Sequence, residues 1–142
     1  MDQNPAADID MLKSALSHVF APWVQLLDLQ VVDAREGEVV LTLPITPRHV
    51  NEGGGVSGQT LMAAADTAMV LAIMTRLGGF KPMTTVQLNT SFLRPISGQD
   101  GTARVVGRVL RMGKNLVFGE VHISSSANGE VAAHATTTYA LL

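Results

Sequence analysis

One carboxylate interrupts an otherwise greasy stretch. In "GQTLMAAADTAMVLAIM", residues 58 to 74, Asp66 is the single charged residue. Burying an unpaired ionised group costs several kcal/mol even after relaxation, whereas leucine at that position would extend the apolar run freely. Two accounts can offset the cost. Asp66 can bond to a nearby hydroxyl such as Thr67, or occupy a wetter turn than its neighbours. Alternatively it is a working carboxylate in a dry pocket, where desolvation makes such a group a stronger base.

A complementary element lies just upstream. "NEGGGVSG" sets three consecutive glycines, then Val56, Ser57 and Gly58, before the apolar run. If a helix starts there, its first N–H groups lack partners and carry positive partial charge, which is how an oxyanion is held. Glycines such as Gly55 let another molecule approach that backbone closely. The plainer account is a flexible loop with Ser57 as an ordinary N-cap; the two roles can coexist. Spacing then matters. From Gly58 to Asp66 is eight residues, or about 12 Å along a helix at about 1.5 Å per residue. One carbonyl cannot touch both in one chain. Two such helices packed antiparallel across a two-fold axis would bring the start of one beside the middle of the other.

The elements that must hold these groups can be read from periodicity. "ADIDMLKSALSHVF" spaces Ile9, Leu12, Leu16, Val19 and Phe20 at helical intervals, and Pro22 should end that helix. "LLDLQVVDAREGEVVLTLPI" reads as two strands around a turn at Glu36 and Gly37. The apolar helix should run from about Ser57 to Leu77, closed by Gly78 and Gly79. "TTVQLNTSFLRP", "GTARVVGRVLRM", "NLVFGEVHISSS" and "EVAAHATTTYAL" then read as four strands joined by short turns rich in Gly, Asn or Asp. Four consecutive strands without crossover helices favour one antiparallel sheet with helices on one face, an α+β fold. The central helix is apolar nearly all round, so the curved sheet should wrap one side of it and a second subunit should cover the rest. Its alanines, Ala63, Ala64, Ala65, Ala68 and Ala72, let a sheet come close.

Composition narrows the class. The 142 residues, 46% hydrophobic and 15% charged, read as one domain spanning 1–142, with residues 1–6 expected to be disordered. So little polar surface favours self-association. A net charge of −2 gives no general attraction to nucleic acid or anionic membrane. The absence of cysteine excludes disulfides, thiolate metal sites and cysteine nucleophiles. "MDQNPAADID" carries three aspartates and no base, the wrong charge for a secretory signal. No run reaches the roughly 18 uninterrupted apolar residues of a membrane span. A cytoplasmic protein is expected.

Asn51, Gly54, Val56, Gly58 and Asp66 in "NEGGGVSGQTLMAAADTA", followed by "TTVQLNTSFLRP", resemble the hotdog-fold acyl-CoA thioesterases of the phenylacetate-degradation (PaaI-like) type. The likeness covers nearly the whole chain in element order, and the 15-residue interval from Asn51 to Asp66 matches the motif. The resemblance implies a curved antiparallel sheet around one long helix. It implies Asp66 as general base or nucleophile at the thioester, the Gly58 N–H as oxyanion donor, Asn51 positioning the water or thioester, and Thr85 orienting the water. It further implies a dimer or dimer of dimers, no metal, and no cofactor beyond the coenzyme A thioester that is the substrate. One departure is visible: the family's usual His-Gly-Gly at the helix start is Ser57-Gly58-Gln59 here. Serine can donate a hydrogen bond but cannot carry a proton as histidine does at neutral pH. Gln59 offers an amide if it turns inward and otherwise faces solvent.

Other chemistries fit less well. "GVSGQ" departs from the G-x-S-x-G nucleophile elbow at Gln59, and the parallel sheet that motif needs is absent. The four histidines, His18, His49, His122 and His134, show no ligand spacing, so no metal site is expected. Arg108, Arg111 and Lys114 are candidates for coenzyme A phosphates, or else charges on a solvated sheet face. Phe20, Trp23, Met62, Met69, Phe80 and Met83 can wall an acyl pocket or simply fill the core. The reading is an acyl-CoA thioesterase acting on an acyl- or aryl-CoA; the alternative is a non-catalytic acyl-CoA binding or regulatory protein on the same fold.

Overall fold

The computed structural model describes residues 8–142, so the N-terminal stretch expected to be disordered lies outside the described residues. Helix α1, Ile9–His18, starts where the Asp8 carboxylate accepts the N–H groups of Asp10 and Met11, and it buries Leu12 and Ala15. The helix ends before Pro22 as expected, but Pro22 does more than stop it. With its ring at the first helical position, Pro22 opens a further turn, α2, Pro22–Gln25.

Strands β1, Gln30–Arg35, and β2, Glu38–Pro44, form the expected hairpin, with Gly37 at φ 84 in its turn. A 3-10 turn over Pro47–His49 leads into the glycine loop. Helix α3, Gly58–Leu77, begins where the Ser57 hydroxyl accepts the Thr60 N–H and ends at left-handed Gly78, φ 79. Strands β3, Met83–Phe92, β4, Thr102–Met112, β5, Leu116–Ser125, and β6, Val131–Leu141, follow. All pairings are antiparallel in the order β1-β2-β4-β5-β6-β3, one curved sheet of six strands around α3.

The sheet's inner face is set by simple alternation. Ala103, Val105, Gly107 and Val109 of β4 and Val117, Gly119, Val121 and Ile123 of β5 point at α3. Against them lie Ala64, Ala65, Ala68 and Ala72, all fully buried. Two glycines complete this close approach. A Cβ on Gly107 would sit 3.2 Å from both the Cβ and the carbonyl oxygen of Ala68, and one on Gly119 would overlap the Met69 side chain. At the far end, the Thr75 hydroxyl accepts the Gly37 N–H at 2.7 Å, tying the β1–β2 turn to the helix. By length and composition α3 could cross a membrane, yet 61% of its most apolar window is buried within the fold, as in a core helix.

One face of α3 is left incompletely covered. Met62, Asp66 and Val70, spaced at i, i+4, i+8, are half-buried while the residues around them are buried. This stripe includes the carboxylate. Strand β3, the sheet edge that contacts Asp66, is exposed along most of its length, with Val86 59% and Phe92 50% accessible.

Candidate active site

Asp66 is half-buried rather than enclosed, and its partners come from the sheet. The Thr85 hydroxyl donates to Asp66 Oδ1 at 2.9 Å. The Tyr139 hydroxyl lies against both Oδ1 and the Asp66 carbonyl oxygen, the latter at 2.8 Å. Both side-chain contacts fall on Oδ1, which leaves Oδ2 as the oxygen open to a further donor. Tyr139 is 1% exposed, and its ionisation is pushed well up, by burial first and then by the Asp66 charge, so it stays a donor at any ordinary pH. Thr67, the hydroxyl nearest in sequence, is not a partner of Asp66. It donates to the Ala63 carbonyl at 2.8 Å within its own helix.

The expected pair of Asp66 and Thr85 is therefore brought together. Tyr139 was absent from the sequence expectation; its one available signal was being the sole tyrosine of the chain, on the inward face of the last strand by alternation.

At the start of α3 the glycine loop is crossed by backbone hydrogen bonds. The Asn51 N–H donates to the Gly55 carbonyl and the Gly54 N–H to the Asn51 carbonyl, each at 2.9 Å, with Gly54 at φ 88. The Val56 N–H donates to the Ile96 carbonyl at 2.9 Å, and the Ser57 N–H to the His49 carbonyl at 2.8 Å. The Val56 side chain is buried in the core, and its backbone bridges to Val50. Asn51 is exposed, Gly55 half-buried and bridged to Ser97.

The start of α3 leaves two amides unpaired. Thr60 N–H is taken by Ser57 Oγ, and the Leu61 N–H bonds to the Ser57 carbonyl. Among the described residues, the N–H groups of Gly58 and Gln59 have no partner. The Gln59 side chain is exposed. Ser57 Oγ also shares a 2.7 Å hydrogen bond with Thr60 Oγ1, so this hydroxyl is occupied locally. Gly58 packs under a side chain: a Cβ there would lie 3.2 Å from the Phe92 ring, which is 50% exposed and can give way.

Gly58 and Asp66 are thus held at opposite ends of β3, Gly58 beneath Phe92 and Asp66 on Thr85. Within one chain the structure does not bring them together. Beside the helix start, Trp23, Leu26, Leu27, Arg48, His49 and Gln59 help line a cavity of about 250 Å³. Of the candidate pocket walls, Met69 belongs wholly to the core, while Phe80 is 47% exposed. His49 itself is buried and held below the ordinary imidazole range, by burial first, with Arg48 adding to the shift and a bond to the Pro44 carbonyl opposing it.

The basic residues divide. Arg108 is ion-paired with Glu120, whose carboxyl is held below the usual carboxylate range by hydrogen bonds from His134 and then Arg108. It lies on the outer face of the sheet, away from α3. Arg111 and Lys114 are exposed at the β4–β5 turn. Thr85, Tyr139, Val117 and Met112 lie in one row across four strands. Arg111 and Lys114 therefore share the sheet end that carries Asp66, while Arg108 is already engaged.

Comparison with known proteins agrees with this architecture. The profile of the thioesterase superfamily matches residues 53–132. A Thermoplasma volcanium protein that carries the name of an esterase is 34% identical over 94 residues, 66% of this chain and 68% of that protein. Acyl-coenzyme A thioesterase 13 of Homo sapiens is 25% identical over 111 residues, 78% of this chain and 77% of that protein. Among solved structures, zebra fish thioesterase superfamily member 2 superposes with a TM-score of 0.83 at 24% identity, covering 94% of this chain and 98% of that one. The PaaI protein of the E. coli phenylacetic acid degradation operon does so with 0.78 at 18%, covering 94% and 95%. The resemblance read from the motif holds: this chain belongs to the thioesterase superfamily, and its sheet and central helix form the hotdog fold.

Proposed function

We propose that the protein hydrolyses the thioester of an acyl- or aryl-CoA to the free acid and coenzyme A, at a site shared by two subunits. The observation that carries this reading is the placement of Asp66. A carboxylate stands on a half-buried stripe of an apolar helix, with Oδ1 fixed by Thr85 and Tyr139 and Oδ2 left open.

The edge strand supports a second subunit. "MTTVQLNTSF" of β3 has no charged residue and no proline, whereas the opposite edge, β1, carries Asp33 and Arg35. A long, unguarded edge is a template for pairing. An antiparallel β3 pair centred between Leu88 and Asn89 sets Thr85 opposite Phe92 of the partner subunit, because the two positions are equidistant from that centre. Asp66 then lies beside the partner's helix start, where the Gly58 and Gln59 amides are free.

The chemistry follows directly. Asp66 Oδ2 accepts a proton from water as the water adds to the thioester carbon, and the carbonyl oxygen gathers charge against the partner's helix-start amides. Collapse of that adduct breaks the C–S bond and releases the thiolate. Thr85 acts by holding the carboxylate in register. In this reading Asn51, exposed on the loop before the helix, contacts the thioester or water from the donor side. Arg111 and Lys114 are suited to the coenzyme A phosphates, and the cavity at Trp23 and Leu26 to the acyl end. No metal and no resident cofactor enters these steps.

A second reading, acyl-CoA binding without turnover, is favoured by one observation: Ser57, standing where the motif resemblance implies histidine, has its hydroxyl locked into the helix cap. Hydrolysis of short, long and aryl acyl-CoAs, followed by thiol release, separates the two. Wild-type turnover that falls by about 10²–10⁴-fold in Asp66→Asn supports the general base. Equal rates in both proteins defeat the mechanism, and tight binding with no turnover selects the second reading.

A further inference from the structure

The outer face of the sheet carries a side-chain cluster that thioester hydrolysis does not use. On β5, Phe118, Glu120, His122 and Ser124 alternate with the core residues and so point away from α3. The β5–β6 register sets His134 directly opposite His122, with ring centroids 4.7 Å apart. Glu120 stands two residues along the same face, and its Oε1 lies 3.1 Å from His134 Nε2. One ligand atom from each of Glu120, His122 and His134 falls within 4.8 Å of the others.

We propose that Glu120, His122 and His134 form a binding site for a divalent transition metal, for which zinc is the fitting ion. Two imidazoles and a carboxylate are a borderline donor set that matches zinc, nickel or copper rather than magnesium or calcium. With zinc–ligand bonds of about 2.0–2.2 Å, the three donor atoms close on one ion through side-chain rotation alone, because the ladder already fixes both strands. The carboxylate has the supporting contact such sites use: Arg108 holds Oε2, leaving Oε1 to face the histidines. All three residues are half-buried, so a fourth position stays open to water. The site lies across the sheet from Asp66, so its occupancy is independent of the hydrolytic reading.

The test uses the full chain without an affinity tag, stripped of metal and titrated with zinc chloride against a chromophoric chelator. One zinc per chain is expected, with binding weakened by roughly tenfold or more in His122→Asn and in His134→Asn, and unchanged in His18→Asn on α1. Because either variant could fold poorly, the wild type is also followed by ring-nitrogen NMR: the His122 and His134 resonances should move on zinc addition while those of His18 and His49 stay. No zinc binding by wild type, binding untouched by both substitutions, or shifts confined to His18 or His49 would each overturn the assignment.

Discussion

If the carboxylate and the oxyanion donors come from different chains, as proposed above, a mixture of two inactive variants should recover activity. Gly58→Pro deletes the donor N–H at little structural cost. Gly58 is the first residue of α3, where proline is tolerated, and Ser57 at φ −64, ψ 145 already has the extended backbone that a residue before proline needs. The new ring also meets Phe92, so Gly58→Ala is the control: it adds a Cβ 3.2 Å from that ring and keeps the N–H. Loss of one oxyanion donor lowers kcat by about 10²–10³-fold, and Gly58→Ala should lose far less. In an equal mixture with Asp66→Asn, random exchange makes half the dimers hybrid. Each hybrid holds one site with both wild-type parts and one with neither, so recovery should approach about a quarter of wild-type activity. Thiol release after denaturation and joint refolding measures it, with exchange verified by native mass spectrometry. Recovery that stays at the level of the separate variants, with hybrids present, refutes the shared site. It would leave donors and base about 12 Å apart along one helix, too far to meet on one carbonyl.

Three other outcomes follow from the packing and the hydrogen bonds. Gly107→Ala should destabilise the fold by about 1–3 kcal/mol in urea unfolding, because its Cβ would press on the Ala68 backbone rather than on a movable side chain; an unchanged midpoint would contradict the close approach of β4 and α3. Tyr139→Phe should cost about 1.5–3 kcal/mol, the range for a hydrogen bond to a charged group, and a loss below about 0.5 kcal/mol in the same assay would mean that the Asp66 contact contributes little. His49 is held neutral by burial. The unfolded chain takes up its proton near about pH 6.5 and the folded chain only lower, so stability from neutral His49 is full above that pH and is lost as pH falls through the window below it. His49→Gln should flatten the pH dependence of Tm between about 6.5 and 5, and an equally steep slope in the variant would rule this group out.

The elements were legible where a local rule decides them. The Ser57 cap, the left-handed Gly78 and the alternation of β4, β5 and β6 bound α3 and the strands as the sequence predicted. Helix α2 was not legible, because four residues show no period and Pro22 reads equally as a stop or as a first helical residue. Pairing across the sheet was hidden for a different reason. Periodicity assigns a face but not a neighbour, so Tyr139 beneath Asp66, 73 residues away in sequence, could not be foreseen. The same limit concealed His122 opposite His134, which show no ligand spacing along the chain and meet only through the hairpin register. The burial of Val56 was hidden because "GGGVSG" suggests an open loop, whereas the Val50–Val56 bridge closes it.

Serine at position 57, where the motif resemblance implies histidine, has a physical consequence that depends on the leaving group. Ser57 Oγ accepts the Thr60 N–H and pairs with Thr60 Oγ1, so it is held in place as a cap. An oxygen ester needs a proton on its departing alkoxide, and Ser57, fixed as a cap, is not free to deliver one. A thiol ionises near pH 8.5, about two units above imidazole, so a thiolate departs near neutral pH without an acid. The steps that still need the protein are deprotonation of water and stabilisation of the oxyanion. Asp66 with its two hydroxyl partners and the free amides of Gly58 and Gln59 are suited to these steps. The helix start can therefore lose its imidazole and still serve a thioester, so long as a partner subunit brings those amides to the carboxylate.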